Sequence, residues 1–163
     1  MGGKVDRAFR AKVRELADKR KFDANWLMAV MALETGGKFK AYTPEKGGTG
    51  AVGLIQFTRT TARKTLGTTT EALARMTEVQ QLDYVDKYFE PYYRDIKSLD
   101  DMYMSVFYPA ARTRPNDYVL FSAPSKEYTN NSSLDRAHKG YVTREDAVYR
   151  VRNWLKEGKQ YVA

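Results

Sequence analysis

The feature that most constrains the fold is an uninterrupted run of eight apolar residues, 26–33, which Glu34 follows directly. A helix that is apolar on every side has no face to present to water, so it must lie at the centre of a fold. Phe22 and Asp23 precede the run in the positions of a hydrophobic staple and an N-cap. Two glycines come just after Glu34 and can turn the chain away from the helix axis. The sequence therefore predicts a central buried helix with a carboxylate at its C-terminal end.

Burial would give this carboxylate a chemical use. A buried carboxyl group resists ionisation, so its pKa rises, and a general acid that works near neutral pH needs a raised pKa. Glu34 is therefore a candidate proton donor. The alternative is a residue at a helix end whose side chain points into water, because only the flanking apolar run indicates burial.

Hydrophobic periodicity and Ser/Thr capping patterns predict further helices around the central one. They span about 4–20, 59–67, 70–75, 78–90, 99–108 and 144–158. Residues 38–57 read as an irregular loop or a small β-hairpin, and residues 110–134 as an extended surface excursion. A length of 163 residues favours a single domain, 1–163. We predict a mainly α (α+β) fold, a helical bundle around the central buried helix.

The residue types present exclude several kinds of site. The chain has no cysteine and one histidine, which rules out a thiolate metal site and argues against a zinc centre or a Ser-His-Asp triad. Residues 135–146 have the length and central glycine of a calcium-binding EF-hand loop, but Ala137 and Lys139 occupy ligand positions. We interpret this segment as a turn in which Thr143 caps the last helix and His138 is exposed. We expect no metal and no cofactor.

A net charge of +8 predicts an anionic partner. Nucleic acid, an anionic membrane and the bacterial cell wall all qualify. The chain lacks an aromatic RNA-binding signature, a zinc finger and a strong helix-turn-helix pattern, so we expect no nucleic acid partner. No apolar stretch is long enough for insertion into a membrane. A basic, helical nucleic-acid-binding protein stays a third interpretation, which leaves the glycine motifs unexplained.

Two motifs resemble those of lytic transglycosylases and goose-type lysozymes in the lysozyme superfamily. In those families a Glu-Ser-Gly-like motif on a core helix is followed by a Gly-Leu-Met-Gln-like motif. Here the counterparts are Glu34-Thr35-Gly36-Gly37 and Gly53-Leu54-Ile55-Gln56. Residues 73–85 resemble phage tail-associated members, and residues 105–111 fall where the family often has Ala-Tyr-Asn-Ala. The resemblance implies a lysozyme-like fold of bacteriophage type.

The resemblance also implies an enzyme that cleaves the β-1,4 bond between N-acetylmuramic acid and N-acetylglucosamine in peptidoglycan. As a lytic transglycosylase, it would use Glu34 alone as general acid and base and release 1,6-anhydro-muramic ends. One alternative is a hydrolytic muramidase (lysozyme) that uses Glu34 with a second carboxylate such as Glu45. The simpler interpretation of Glu45 is a solvated charge in the loop. Another alternative is a catalytically silent virion structural or wall-binding module.

The same motifs suggest substrate-binding residues. Gln56 has an amide suited to an N-acetyl group or to orienting Glu34, although a surface amide would look the same. Gly53 would let the backbone approach a sugar, or would serve a plain turn. Tyr108 carries over as the tyrosine that positions the acid or the sugar, whereas Pro109 replaces the usual Asn.

The expected location follows from the N-terminus, which lacks the apolar core of a secretory signal peptide. The protein would therefore be carried in a phage virion or accumulate in the host cytoplasm as an endolysin before release. It would act in the periplasm or cell wall. Beyond peptidoglycan, its expected partners are phage tail or virion proteins, and we expect a monomer.

Overall fold

The computed structural model of the protein describes residues 5–45 and 48–159. The chain is mainly helical, as predicted, with one small antiparallel sheet in the described part. The elements in chain order are α1 (Arg7–Arg20), α2 (Ala24–Thr35), α3 (Arg59–Lys64), α4 (Thr70–Ala74), α5 (Glu78–Phe89), α6 (Leu99–Phe107), β1 (Val119–Ser122), α7 (Lys126–Asn131), β2 (Tyr141–Thr143) and α8 (Arg144–Lys159). Short 3₁₀ turns occupy Tyr93–Asp95, Pro109–Ala111 and Ser132–Leu134.

The predicted central helix is α2. Its residues from Leu27 to Ala32 are all buried, so no side of the helix faces solvent along this stretch. Helices α1, α6 and α8 pack against it. The hydrophobic core extends from Phe9 in α1 to Val151 in α8. The prediction of a buried helix at the centre of the fold is confirmed.

Local capping sets where the helices begin. Asp23, Thr58 and Ser98 each accept a backbone N–H of the helix that they precede, as their positions predicted. Thr77 and Gln80 form a reciprocal capping box at the start of α5. The predicted start of α1 at residue 4 lies outside the described residues; α1 begins at Arg7 because the Asp6 carboxylate accepts the Phe9 N–H at 2.8 Å.

The paired strands lie outside residues 38–57, the segment in which the sequence allowed a small hairpin. Strands β1 and β2 pair with Phe121 opposite Val142, across a long connection that contains α7. The segment 38–57 takes the predicted alternative, an irregular loop, with isolated bridges from Val52 to Pro44 and to Phe57. Strand pairing in this protein therefore joins residues too distant in sequence for a turn pattern to indicate.

Most residues of the segment 110–134 are exposed at the surface, as predicted, but the segment is not extended throughout. Leu120 and Leu134 are buried in the core, and the segment contains β1 and α7. The buried guanidinium of Arg144 ties the segment down, because it donates to Asn116 Oδ1 at 2.6 Å and to the Arg112 carbonyl at 3.2 Å. It also pairs with Asp101 of α6. A buried cation needs several acceptors, and part of this segment supplies them.

The segment that resembles an EF-hand loop is a turn, as predicted. The Asp135 carboxylate accepts the backbone N–H groups of Lys139 at 3.0 Å and Gly140 at 2.8 Å. Thr143 and Asp146 exchange side chain to backbone hydrogen bonds at the start of α8.

Within the described residues, no helix is both long and apolar enough to cross a bilayer.

Candidate active site

A cleft of about 930 Å³ opens where the C-terminal end of α2 meets the loop 36–58. Two other helices complete its lining, with Val106 and Phe107 at the end of α6 and Arg150 from α8. This volume is sufficient for a ligand of several rings. Of the sequence-predicted site residues, Glu34, Glu45 and Gln56 line the cleft.

Glu34 lies at the end of α2, half-buried at the edge of the core. Burial raises the pKa of its carboxyl group from 4.5 to about 7, and the negative charge of Glu45 adds to the increase. A carboxylic acid with such a pKa keeps a substantial protonated fraction near neutral pH, and it faces an open cleft. It therefore has both the proton and the access that a general acid requires.

The turn after Glu34 fixes the direction in which the helix end points. Gly36 has a left-handed backbone, φ 59°, and its N–H reaches the carbonyls of Ala32 and Leu33. The buried Thr35 hydroxyl donates to the Met31 carbonyl at 2.7 Å and accepts the Phe39 N–H at 2.9 Å. Both sides of the turn are thereby bonded to the helix, so Glu34 is held at the cleft by rigid backbone.

Glu45 lines the same cleft and is half-buried in the loop. Its carboxylate accepts the Thr49 N–H at 2.8 Å and also the Thr49 hydroxyl. Thr49 lines the cleft as well. The structure therefore brings two carboxylates to one cavity, the first half-buried on the core helix and the second held by a polar loop.

Gln56 has a left-handed backbone, φ 57°, and its amide N–H groups are already used. Nε2 donates to the carbonyls of Thr43 and Gly53, both at 3.0 Å. Because both of these partners are acceptors, they occupy the Nε2 donors, and Oε1 is the atom of the side chain that is left to accept a further hydrogen bond. Gln56 can accept a hydrogen bond from a substrate N–H or hydroxyl, while it holds the loop closed.

Gly53 contacts a residue that the sequence did not indicate. Gly53 itself is not among the residues that line the cleft. Its φ is 92°, and a Cβ added to Gly53 would lie 2.5 Å from Gln81 Oε1. The fully buried Gln81 accepts the Leu54 N–H at 2.8 Å and donates to the carbonyls of Ala41 at 3.0 Å and Leu73 at 2.9 Å. One amide therefore connects both arms of the cleft loop to the helical core.

Tyr108 lies at the end of α6 and packs edge to face on Phe121, with ring centroids 6.0 Å apart. It is not among the residues that line the cleft. Two other tyrosines, Tyr88 and Tyr103, interact electrostatically with Glu34. Burial is the main cause of the raised pKa of Tyr88 and Tyr103, and the charge of Glu34 raises both further. Tyr88 donates to the Ser105 carbonyl at 2.6 Å.

Among the cleft residues that sequence reasoning missed are Lys38, Lys40, Tyr42 and Arg150. Tyr42 is 62% exposed, which is unusual for a large aromatic side chain that lines a cavity. An aromatic residue inside the polar loop after Glu34 was a signal that could have identified it. Arg150 had no such signal, because it is distant in sequence and lies on a helix with many charges.

The comparisons with known proteins bear on the N-terminal half of the chain. A family model described as the transglycosylase SLT domain matches residues 12–93, about half of the sequence. The matched range contains Glu34 and Gln56, whereas Tyr108 and Arg150 lie beyond it. No curated protein and no solved structure matches the chain.

The raised pKa of Glu34 predicts a pH-dependent stability. Between 4.5 and about 7 the unfolded chain loses this proton before the folded protein does, so the folded state loses stability as pH rises through that window. We expect Glu34→Gln to raise the free energy of unfolding by about 1–3 kcal/mol at pH 8 and to change it little at pH 4. Urea denaturation at both pH values measures this difference. The exposed Glu127→Gln is the matched control, and a Glu34→Gln effect independent of pH would contradict the prediction.

The contact between Gly53 and Gln81 predicts non-additive mutations. Gln81→Ala should destabilise the protein by about 2–4 kcal/mol, because it leaves buried backbone groups without partners. Gly53→Ala should be destabilising as well, since it combines a positive φ with the collision against Gln81. In the double variant the collision is absent. The free energy of unfolding lost by the double variant should therefore be smaller, by about 1 kcal/mol or more, than the sum of the losses in the two single variants. Strict additivity in urea denaturation would show that a methyl group added at Gly53 does not collide with Gln81.

Proposed function

Because the chain belongs to the transglycosylase SLT domain family, which cleaves glycosidic bonds of peptidoglycan, we propose that Glu34 is its catalytic acid and base. The single observation that carries the proposal is a carboxyl group with a pKa of about 7 that faces an open cleft. The bond that we propose it cleaves is the β-1,4 linkage between N-acetylmuramic acid and N-acetylglucosamine.

The first step requires a proton. Protonated Glu34 would donate it to the glycosidic oxygen as the C1–O bond breaks, and the substrate's N-acetyl group would stabilise the positive charge that develops at C1. The leaving sugar then carries the new hydroxyl. The Glu34 pKa suits this step, because an acid with a pKa near the working pH combines a protonated population with a favourable proton transfer.

The second step returns the proton. The Glu34 carboxylate would remove the proton from the C6 hydroxyl of the same muramic acid, and that oxygen would bond to C1. The product is a 1,6-anhydro ring and Glu34 is protonated again, so the reaction consumes no water and requires no second carboxylate. This requirement for a single carboxyl group supports transglycosylation, because Glu34 is the cleft carboxyl group that lies on the core helix.

Other residues in and around the cleft would have supporting roles. Gln56 Oε1 would accept a hydrogen bond from the N–H of an acetamido group, and the exposed ring of Tyr42 would stack on a sugar face. Gly53 would act indirectly, through Gln81, by keeping the Gln56 loop in place. Tyr108 would also act indirectly, by supporting the end of α6 that presents Phe107 to the cleft.

Hydrolysis is a second candidate because Glu45 lines the same cleft and acts electrostatically on Glu34. In that reaction Glu45 would activate a water molecule opposite the protonated bond, and the products would have reducing muramic ends. Thr49 would hold the Glu45 carboxylate in position for this role.

The resemblance of residues 73–85 to phage tail-associated members supports the further proposal of a bacteriophage origin. The protein would then reach the wall in a virion, alongside tail proteins, or from the host cytoplasm at lysis. Its monomeric state stays a prediction.

Mass spectrometry of fragments released from purified peptidoglycan tests the reaction. We expect anhydro-muramic ends, each lighter by one water molecule than a reducing end, with Glu45→Gln releasing the same product. Reducing ends that disappear in Glu45→Gln would establish the hydrolase instead. No fragments at all would favour a silent structural or wall-binding module.

The role of Glu34 is tested by Glu34→Gln, which keeps the size of the side chain but cannot donate the proton. We expect turnover to fall by about 10²–10⁴-fold, the usual contribution of a general acid, in an assay of wall clearing. Activity of the native protein should decline as pH rises through about 7. Glu127→Gln is the control, and equal clearing by native protein and Glu34→Gln would remove Glu34 from this role.

Stacking on Tyr42 predicts a binding defect. Tyr42→Ala should raise KM for soluble peptidoglycan fragments by about two- to tenfold, the range expected for one lost ring contact, with a smaller effect on kcat. Tyr149→Ala is the control, because Tyr149 is also an exposed tyrosine, on α8, and is not among the residues that line the cleft. Equal effects of the two substitutions would contradict a specific role for Tyr42.

A further inference from the structure

The charged residues of the cleft are mostly cationic. Lys38, Lys40 and Arg150 line it together with Glu34 and Glu45. Because burial raises the pKa of Glu34 to about 7, this group is mostly uncharged below that pH, and Glu45 is then the main negative charge in the lining. A concave surface with an excess of one charge concentrates its field on a ligand of the opposite charge.

The backbone places the two lysines on either side of a buried anchor. Phe39 between them is 2% exposed, packs against Phe9 with ring centroids 6.2 Å apart, and has a left-handed φ of 53°. Its N–H is bonded to the Thr35 hydroxyl. Because Phe39 points into the core, its two neighbours are left exposed at the cleft, one turn beyond Glu34.

These cations differ from the arginines that stabilise the fold. Arg20, Arg112, Arg144 and Arg152 each pair with a carboxylate at 3.0 Å or less. Within the described residues, no carboxylate pairs with Lys38 or Arg150; the Arg150 side chain donates to the Ser133 hydroxyl at 3.0 Å. Lys40 has a loose, exposed contact with Glu78 at 3.6 Å. The cleft cations are therefore available to a ligand.

We propose that Lys38 and Arg150, assisted by Lys40, bind carboxylates of the muramyl peptide, so that the cleft selects an acidic glycan over neutral chitin. This inference rests on the proposed function and assigns its substrate specificity. The ligand groups would be the carboxylates of the stem peptide and of any unsubstituted lactyl group on muramic acid. A chitin chain has the same N-acetylglucosamine rings for Tyr42 and Gln56 but none of these charges.

The test measures binding apart from cleavage, in the Glu34→Gln background, by calorimetry at neutral pH and low salt. One ligand is a peptidoglycan tetrasaccharide that carries its stem peptides, and the other is the chitin tetrasaccharide. We expect Lys38→Gln with Arg150→Gln to weaken binding of the first ligand about four- to 25-fold, since two exposed ion pairs are lost and each contributes roughly a factor of two to five. Binding of chitin should change by less than about twofold.

Lys64→Gln is the matched control, because it removes one exposed cation that does not line the cleft. It should leave the affinity for both ligands unchanged. Equal weakening for both ligands in the Lys38 and Arg150 variant would overturn the proposal, since the side chains would then act on the sugar or on the shape of the cleft. Unchanged affinity for the acidic ligand would overturn it as well.

The outcomes also separate this inference from the proposed reaction. Charge-dependent binding by a native protein that releases no fragments would refute cleavage and support the carboxylate site. Cleavage with anhydro-muramic ends in a protein whose binding ignores Lys38 and Arg150 would refute the carboxylate site alone.

Discussion

A carboxyl group at the end of a helix that has no solvent-exposed side is the constraint on which the rest of the structure depends. Helix α2 must be covered all round, so α1, α6 and α8 pack on it, and its C-terminal end is left as the place where the chain reaches solvent. Glu34 sits at that boundary. The same burial that makes α2 the core raises the pKa of Glu34, so the packing of the core also sets the protonation state of this cleft carboxyl group.

The second wall of the site depends on one buried amide. In the described part of loop 36–58 there is almost no regular secondary structure, yet Gln81 binds the backbone of both arms of the loop and Gln56 bridges them. A buried amide with all its hydrogen bonds satisfied rigidifies its surroundings, because each alternative geometry leaves a polar group without a partner. Gly53 is the position that makes room for it. The irregular loop can therefore hold Glu45 and Gln56 in defined positions.

The positive charges differ in whether a carboxylate of the fold pairs with them. Arginines such as Arg144 and Arg20 donate hydrogen bonds to carboxylate and carbonyl oxygens of distant segments and so join those segments. Lys38 and Arg150 lie at the cleft without a carboxylate partner among the described residues. The net charge of the chain is thus less informative than the location of the cations that have no carboxylate partner, and the sequence does not show that location.

The sequence alone determined the features that depend on neighbours along the chain: the buried helix α2, the caps at Asp23 and Thr77, and the glycine turn that presents Glu34. These interactions close within a few residues, so their patterns are visible in the sequence. Tertiary structure alone decided the pairing of β1 with β2, the contact of Gly53 with Gln81 and the arrival of Arg150 at the cleft. Each joins segments tens of residues apart through packing, and no local pattern records which distant side chain will fill the space.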